Sequence, residues 1–166
     1  MKTTAFFTRM LRWLTGSRLT VDNSVMRELD LDRFLGSWYE VSRFDHFFER
    51  GMSQTKANYV LRDDGNIDVI NTGIKDGKPK TAKGRAKLTD IPSLLRVSFF
   101  GPFYSDYHVM LVDDDYRYML IGSGSDNYLW ILSRTPQLAD SDRAAILSEA
   151  KSRGYDTSKL IWVKQS

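Results

Sequence analysis

Apolar and polar residues alternate along most of the chain after residue 36, which is the pattern of half-buried β-strands. In TKANYVLR, residues 55–62, Thr, Ala, Tyr and Leu fall on one face, and Lys, Asn, Val and Arg fall on the other. The alternation predicts eight strands, which cover residues 39–47, 55–62, 66–74, 80–89, 94–100, 107–112, 116–121 and 128–134. Turn signals such as Asp64-Gly65 and Asp76-Gly77 separate them. We therefore predict an all-β fold, an eight-stranded antiparallel up-and-down β-barrel.

The pattern changes to helical spacing after Pro136. In ADSDRAAILSEAKSRG, apolar residues recur three and four positions apart, and Gly154 suits the end of a helix. This helix should pack outside the barrel, and KLIWVK should form a last short strand. Before the barrel we expect a connecting arm over residues 19–30 and a helical turn around residues 31–35. The predicted organisation is an extension over residues 1–30 followed by a barrel with its helix over residues 31–166.

Residues 1–18, MKTTAFFTRMLRWLTGSR, place apolar side chains at helical spacing among basic ones. Arg9 and Arg12 interrupt the apolar stretch of roughly 7–15 residues that a secretory signal requires. The segment is also too short and too charged to span a bilayer. A basic amphipathic helix lying on an anionic membrane surface is one interpretation. The alternatives are a helix packed on the body or on a partner, and a degenerate signal.

Charge and composition narrow the possible functions. The net charge is +3, but residues 1–20 contain four cationic residues and no acid, so the remainder carries −1. A nucleic-acid-binding body would need a basic face of its own, so we predict no nucleic-acid partner. The chain has no cysteine and two histidines, His46 and His108. Disulfides and cysteine metal sites are excluded, and we predict no metal and no cofactor, haem included.

Two distant segments suggest how one end of the barrel closes. Gly36 precedes Trp38 at the start of the first strand, and Arg134 ends the last one. An arginine laid over a buried tryptophan ring would seal the floor by packing and cation–π attraction. Glu40 shares the inward parity of Trp38 and would need a buried partner, for which Arg134 or a tyrosine could serve.

Strand parity also identifies candidate ligand contacts, because alternate residues of a strand face the same side. The residues predicted to face a cavity are Ala57, Tyr59, Leu61, Ala86, Leu88, Val97, Phe99, Tyr107, Val109, Tyr128, Trp130 and Leu132. Small residues among the inward positions, Gly84 included, argue for open space, although the same side chains could fill a solid core. The hydroxyl groups of Tyr59, Tyr107 and Tyr128 could hold the polar end of a ligand, or these could be ordinary strand residues.

Three further motifs stand out, namely GSWY at residues 36–39, DDDY at 113–116 and Arg134 in LSRTP. Together they give the chain a resemblance to the lipocalins, in particular to the bacterial outer-membrane and apolipoprotein D branch. GSWY looks like the first lipocalin signature, DDDY like the bacterial form of the second, and Arg134 like the third. The resemblance covers residues 30–166. It implies structural roles for Gly36, Trp38, Asp113, Tyr116 and Arg134.

The resemblance also implies a function, namely a carrier that stores or transports a fatty acid or lysophospholipid without catalysis. It implies a periplasmic or membrane-associated location, although the chain has neither the acylated cysteine of the bacterial branch nor an uninterrupted signal peptide. A homodimer is a further expectation. The alternatives are a lipocalin-fold enzyme that acts on a lipid through Glu40 and a tyrosine, and an interaction protein tethered to a membrane by residues 1–18.

Overall fold

The computed structural model describes residues 19–166, and it forms the barrel that the sequence predicts. The elements in chain order are the short helix α1 (Leu31–Phe34), β1 (Gly36–Phe44), β2 (Ser53–Leu61), β3 (Ile67–Lys75), β4 (Lys78–Leu88), β5 (Leu94–Phe100), β6 (Phe103–Val112), β7 (Tyr118–Ser123), β8 (Leu129–Ser133), α2 (Asp140–Ser152), a 3₁₀ turn (Thr157–Lys159) and β9 (Leu160–Trp162). Each of the first eight strands pairs antiparallel with its neighbours, and β1 pairs with both β2 and β8, which closes the barrel. β9 pairs antiparallel with the last residues of β1, Ser42 to Phe44, beyond the part of β1 that pairs with β2.

The up-and-down order places the connections at two opposite ends. The β2–β3, β4–β5 and β6–β7 turns lie at one end together with α1, and we call this the closed end. The β1–β2 loop, the β3–β4 and β5–β6 turns and the β7–β8 loop lie at the other, the open end. β6 begins at Phe103, four residues earlier than the alternation predicts, because the turn at Gly101-Pro102 lets Phe103 pair with Phe100.

Two apolar clusters lie on the two sides of the barrel wall. The inner cluster includes Ile67, Leu95 and Ile121, all without solvent exposure. The outer cluster lies where Ile146 of α2 packs against Leu120 and its neighbours. The strand β7 is buried on both faces, since it lies between the interior and α2. This explains why the parity of residues 116–121 is ambiguous in the sequence.

A β-bulge in β1 reverses the side-chain alternation of this strand. The register against β8 shifts between Glu40 and Ser42. As a result Val41 joins the outer cluster, whereas Arg43 is buried beside Glu40. A bulge inserts one residue and so exchanges the faces of all positions that follow it.

Residues 19–30 form the predicted connecting arm, which runs along the barrel from the open end to the closed end. Near the open end, the backbone N–H of Thr20 donates to the carboxylate of Asp126 in the β7–β8 loop. At the closed end, the N–H of Asp30 donates to the hydroxyl of Tyr116 at 2.8 Å. The helix predicted over residues 1–18 lies outside the described residues. Within residues 19–166, neither helix has the length and apolar character needed to cross a bilayer.

Candidate functional site: a cavity with one open end

The floor of the barrel is built by Trp38 and Arg134, as the sequence predicts. The Trp38 ring is fully buried, and the Arg134 guanidinium lies 3.7 Å from its centroid. The indole N–H of Trp38 donates to the carbonyl of Phe34 at 2.8 Å, which fixes α1 across the closed end. Gly36 has φ of 94°, and a Cβ there would lie 3.4 Å from Nη1 of Arg134. A glycine therefore suits both the backbone conformation and the space beneath the arginine.

The second motif, DDDY at residues 113–116, contacts the closed end of the barrel from outside. Tyr116 has a positive φ of 55° and lies under the guanidinium of Arg33 at 4.5 Å. The Arg117 side chain donates to Asp113 at 2.8 Å and to Asp142 of α2 at 2.9 Å. The β6–β7 turn thus connects α1, the closed end and the outer helix.

Above the floor, the barrel encloses a cavity of about 360 Å³, which lies within the range of small-molecule sites. Seven of the twelve residues predicted from strand parity line it: Ala57, Tyr59, Val97, Phe99, Tyr107, Trp130 and Leu132. Their role as ligand contacts stays a prediction.

The other five predicted residues lie away from this space. Ala86 and Val109 are fully buried in the inner cluster below the cavity. Tyr128 stacks on Trp130, with 5.7 Å between ring centroids. The prediction that Leu61 and Leu88 face the cavity is wrong, because their side chains are 46% and 43% exposed. Leu61 and Leu88 are the last residues of β2 and β4, at the closed end. A side chain there lies beyond the barrel interior even when it is on the inward-facing side of its strand.

Gly84 does not leave open space, contrary to the sequence argument. A Cβ at this position would lie 2.6 Å from the Phe99 ring and 2.5 Å from the carbonyl oxygen of Ser98. The glycine is required by the close approach of β5 to β4. The Phe99 ring occupies the space and becomes part of the cavity wall.

Two of the candidate tyrosines satisfy each other. The hydroxyl groups of Tyr59 and Tyr107 lie 2.7 Å apart and share a hydrogen bond. Burial strongly raises the pKa of both groups, so they remain neutral hydroxyls near neutral pH.

The buried Glu40 pairs with Arg43, whereas the sequence suggested Arg134 or a tyrosine. Nη1 of Arg43 donates to Oε1 of Glu40 at 2.8 Å, and Nη2 donates to the carbonyl oxygen of Glu49 at 2.7 Å. Without the bulge, Arg43 would point outward by parity, and this is why the sequence argument missed it. The alternation of apolar and polar residues in the sequence does not reveal where such a bulge occurs.

The β1–β2 loop adds a second buried acid that the sequence reading also missed. Glu49 lines the cavity beside Glu40. Burial raises the pKa of Glu49 well above its usual value, and the adjacent Glu40 carboxylate raises it further. Glu40, Glu49 and Arg43 together carry no net charge when Glu49 is protonated.

His46 completes this cluster in an aromatic environment. Its ring lies 3.9 Å from that of Phe48 and 5.7 Å from that of Trp130, measured between centroids. Burial, reinforced by the nearby Arg43, lowers the pKa of His46 to about 3, so its contact with Glu49 at 3.5 Å is not an ion pair near neutral pH. His108 lies elsewhere, on the outer side of β6, with Nδ1 2.8 Å from the carbonyl oxygen of Asn23. Within residues 19–166, no three acidic or histidine side chains are grouped in a way that could hold a metal ion.

The fold and the floor motif define a ligand-binding barrel, and comparison with known proteins identifies its class. The family model described as a lipocalin-like domain matches residues 29–165. The chain therefore belongs to the lipocalin family.

Individual relatives support the branch that the motifs indicated. The outer membrane lipoprotein Blc of Citrobacter freundii is 47% identical over 146 residues, which are 86% of this chain and 82% of that protein. Apolipoprotein D of Mus musculus is 30% identical over 152 residues, 86% of this chain and 80% of that protein. This chain is thus a bacterial-type lipocalin similar to Blc.

Solved structures show the same fold at low sequence identity. Insecticyanin from the tobacco hornworm Manduca sexta has a TM-score of 0.73 with 20% identity, covering 91% of this chain and 87% of that one. Lobster apocrustacyanin A1 has a TM-score of 0.72 with 19% identity, covering 91% and 89%.

Proposed function

We propose that this lipocalin, a lipid-binding carrier, holds one acyl-chain lipid, either a fatty acid or a lysophospholipid, with the chain inside the barrel. The observation that carries this proposal is the apolar cavity, closed below by Trp38 and Arg134 and open at one end. Burying an acyl chain there would contribute about 25 cal/mol per Å² of apolar surface.

The distribution of polar groups supports an orientation with the polar end toward the opening. Lys75 and Lys80 line the cavity where β3 and β4 meet, and each could pair with a carboxylate or phosphate. Among the described residues, Oγ1 of Thr55 and Oδ1 of Asn71 are buried in the wall without a hydrogen-bond partner, and they could accept from a ligand hydroxyl. The Tyr59 and Tyr107 hydroxyls bond each other and are therefore less available to the polar end of a ligand.

Trp130 tests this assignment because it lines the cavity on β8. Native mass spectrometry of the purified protein should detect a co-purifying fatty acid or lysophospholipid. In Trp130→Ala, affinity for the same lipid, measured by titration, should fall about tenfold, since a large apolar contact is lost. Trp162→Ala is the matched control, because Trp162 lies outside the barrel under Arg143. Unchanged affinity in Trp130→Ala would show that the lipid does not occupy this cavity.

The enzyme alternative requires Glu40 as a general acid or base. The ion pair with Arg43 instead gives Glu40 a structural partner, and this supports a carrier without catalysis in our proposal. Loss of turnover of a candidate lipid substrate in Glu40→Gln, with retained binding, would support the enzyme instead. Homodimer formation and a membrane tether through residues 1–18 stay predictions.

A further inference from the structure

We propose that the open end of the barrel docks on the surface of an anionic phospholipid bilayer. This goes beyond carriage of a single lipid, because it concerns the outer rim of the barrel and not the cavity. Three features of the open end support it, namely an exposed aromatic turn, a lysine-rich hairpin and the position of the N-terminal arm.

The β5–β6 turn presents large apolar side chains to solvent. Phe100 and Phe103 face each other across Gly101-Pro102 and are 42% and 43% exposed. The turn carries no charged residue between them. Exposed aromatic rings of this kind suit the boundary between headgroups and acyl chains, where their apolar surface leaves water.

The β3–β4 hairpin places three lysines at the same end. Lys75, Lys78 and Lys80 surround a turn with a single acid, Asp76. None of the three lysines forms an ion pair with any residue in the described part of the chain. Lys75, Lys80 and Phe100 line the same cavity, so the hairpin and the aromatic turn lie beside one opening. Lysines beside an anionic membrane contribute about 1 kcal/mol each, or about fivefold in affinity.

The closed end is more acidic than the open end, whose turns and hairpin balance four acids (Asp45, Glu49, Asp76 and Asp126) with four bases (Arg50, Lys75, Lys78 and Lys80). Its turns and α1 contain four arginines, Arg33, Arg62, Arg117 and Arg134, against twice as many acids: Asp30, Asp32, Asp63, Asp64, Asp90, Asp113, Asp114 and Asp115. The excess of acidic residues therefore lies at one end of the barrel axis. An anionic surface repels the closed end and attracts the hairpin, which orients the open end toward lipid.

The arm connects the remaining basic segment to this same end. Thr20 is bonded to Asp126 in the β7–β8 loop, so the chain enters the described structure beside the opening. The preceding residues carry Lys2, Arg9, Arg12 and Arg18 and no acid.

The experiment measures co-sedimentation of the full chain with vesicles of phosphatidylglycerol and phosphatidylcholine, compared with vesicles of phosphatidylcholine alone. The test variant is Lys78→Glu/Phe103→Ser, because neither residue lines the cavity. The control is Arg85→Glu/Ile91→Ser, which makes the same changes nearer the closed end. Both residues changed in the control variant are exposed to solvent, and the exposed fraction of Ile91 is 47%.

We expect the wild-type chain to bind the anionic vesicles and to dissociate as salt is added. The Lys78→Glu/Phe103→Ser variant should bind about 20-fold more weakly or worse, whereas the control should stay within about threefold of wild type. Equal binding by wild type and test variant would overturn the proposal and leave residues 1–18 as the cause of binding. Equal losses in test and control variants would overturn it too, since charge alone would then explain the effect.

Lipid titration without vesicles separates this proposal from the carrier function. Both variants should bind a soluble fatty acid as the wild type does, because the cavity is unchanged. Failure of the wild type to bind fatty acid or lysophospholipid would reject the proposed ligand, while the vesicle comparison would still decide the docking surface.

Discussion

At the scale of single residues, Arg134 holds the floor together through two kinds of interaction. Its guanidinium covers the Trp38 ring, and its Nη atoms donate to the carbonyl oxygens of Arg33, Leu35 and Ser37. The residue thereby joins the end of β8 to the start of β1 and to α1. The planar fork of arginine suits both roles at once, and lysine could not reproduce it.

We expect Arg134→Ala to lower the free energy of unfolding by about 2–4 kcal/mol, since it removes a cation–π contact and several charge-assisted hydrogen bonds. Urea unfolding measures this. Arg143→Ala is the control, because Arg143 covers the exposed Trp162 ring at a similar distance of 3.6 Å, and its loss should cost less than about 1 kcal/mol. Similar losses in both variants would contradict a special role for the floor.

Glu40 and Arg43 form a buried pair inside the barrel wall, with 2.8 Å between Oε1 and Nη1. Breaking such a pair leaves an uncompensated charge, whereas removing both partners does not. Arg43→Met should therefore destabilise the protein by about 3–5 kcal/mol, and Glu40→Met/Arg43→Met should recover a large part of the loss. Unfolding of the two single variants and the double variant measures the coupling. A double variant less stable than Arg43→Met would contradict it.

At the scale of elements, the β1–β2 loop is held by groups whose protonation differs between the folded and unfolded states. Glu49 has a raised pKa because of burial and Glu40, and His46 has a pKa lowered to about 3 because of burial and Arg43. The other titratable or charged groups near them are Arg50 in the loop and Tyr59 and Tyr107 across the cavity.

The two shifts give stability contributions of opposite sign. The contribution of Glu49 is complete below its unfolded pKa of about 4.5 and is lost as the pH rises through its higher folded pKa. The contribution of His46 is complete above its unfolded pKa of about 6.5 and is lost as the pH falls toward about 3. Between these two unfolded values the slopes oppose each other, so stability should vary least there.

Urea unfolding across pH tests this for the wild type, Glu49→Gln and His46→Phe. Glu49→Gln should reduce the loss of stability on the alkaline side, and His46→Phe should reduce the loss between pH of about 6.5 and about 3. Each variant serves as the control for the other, since other carboxylates contribute equally to both. If neither variant changes the slope of stability against pH, the loop is not the origin of the dependence.

At the scale of the whole molecule, the barrel has two ends with different tasks. The closed end is fixed by α1, Trp38 and Arg134, and it is rich in aspartate. The open end combines the cavity, the lysine hairpin and the aromatic turn. The arm over residues 19–30 spans both, bonded to Asp126 at one end and to Tyr116 at the other. Carriage and docking can therefore use one opening.

The sequence by itself determined the barrel, its outer helix and its floor. Period-two alternation and turn residues specify strand pairs, because each depends on near neighbours in the chain. The floor could be predicted from Gly36, Trp38 and Arg134, because an arginine that covers a buried tryptophan ring is a recognisable way to close the end of a barrel. The same parity also found the part of the cavity wall that includes Tyr59, Val97 and Trp130.

Only the tertiary structure decided the polar part of the site. The bulge at residues 40–42 turned Arg43 inward, and the fold of the β1–β2 loop brought Glu49 to Glu40. Leu61 and Leu88 shared the correct parity but stood too close to the closed end. Periodicity specifies which face a residue takes in a regular strand, whereas register shifts, loop packing and depth along the axis depend on residues distant in sequence.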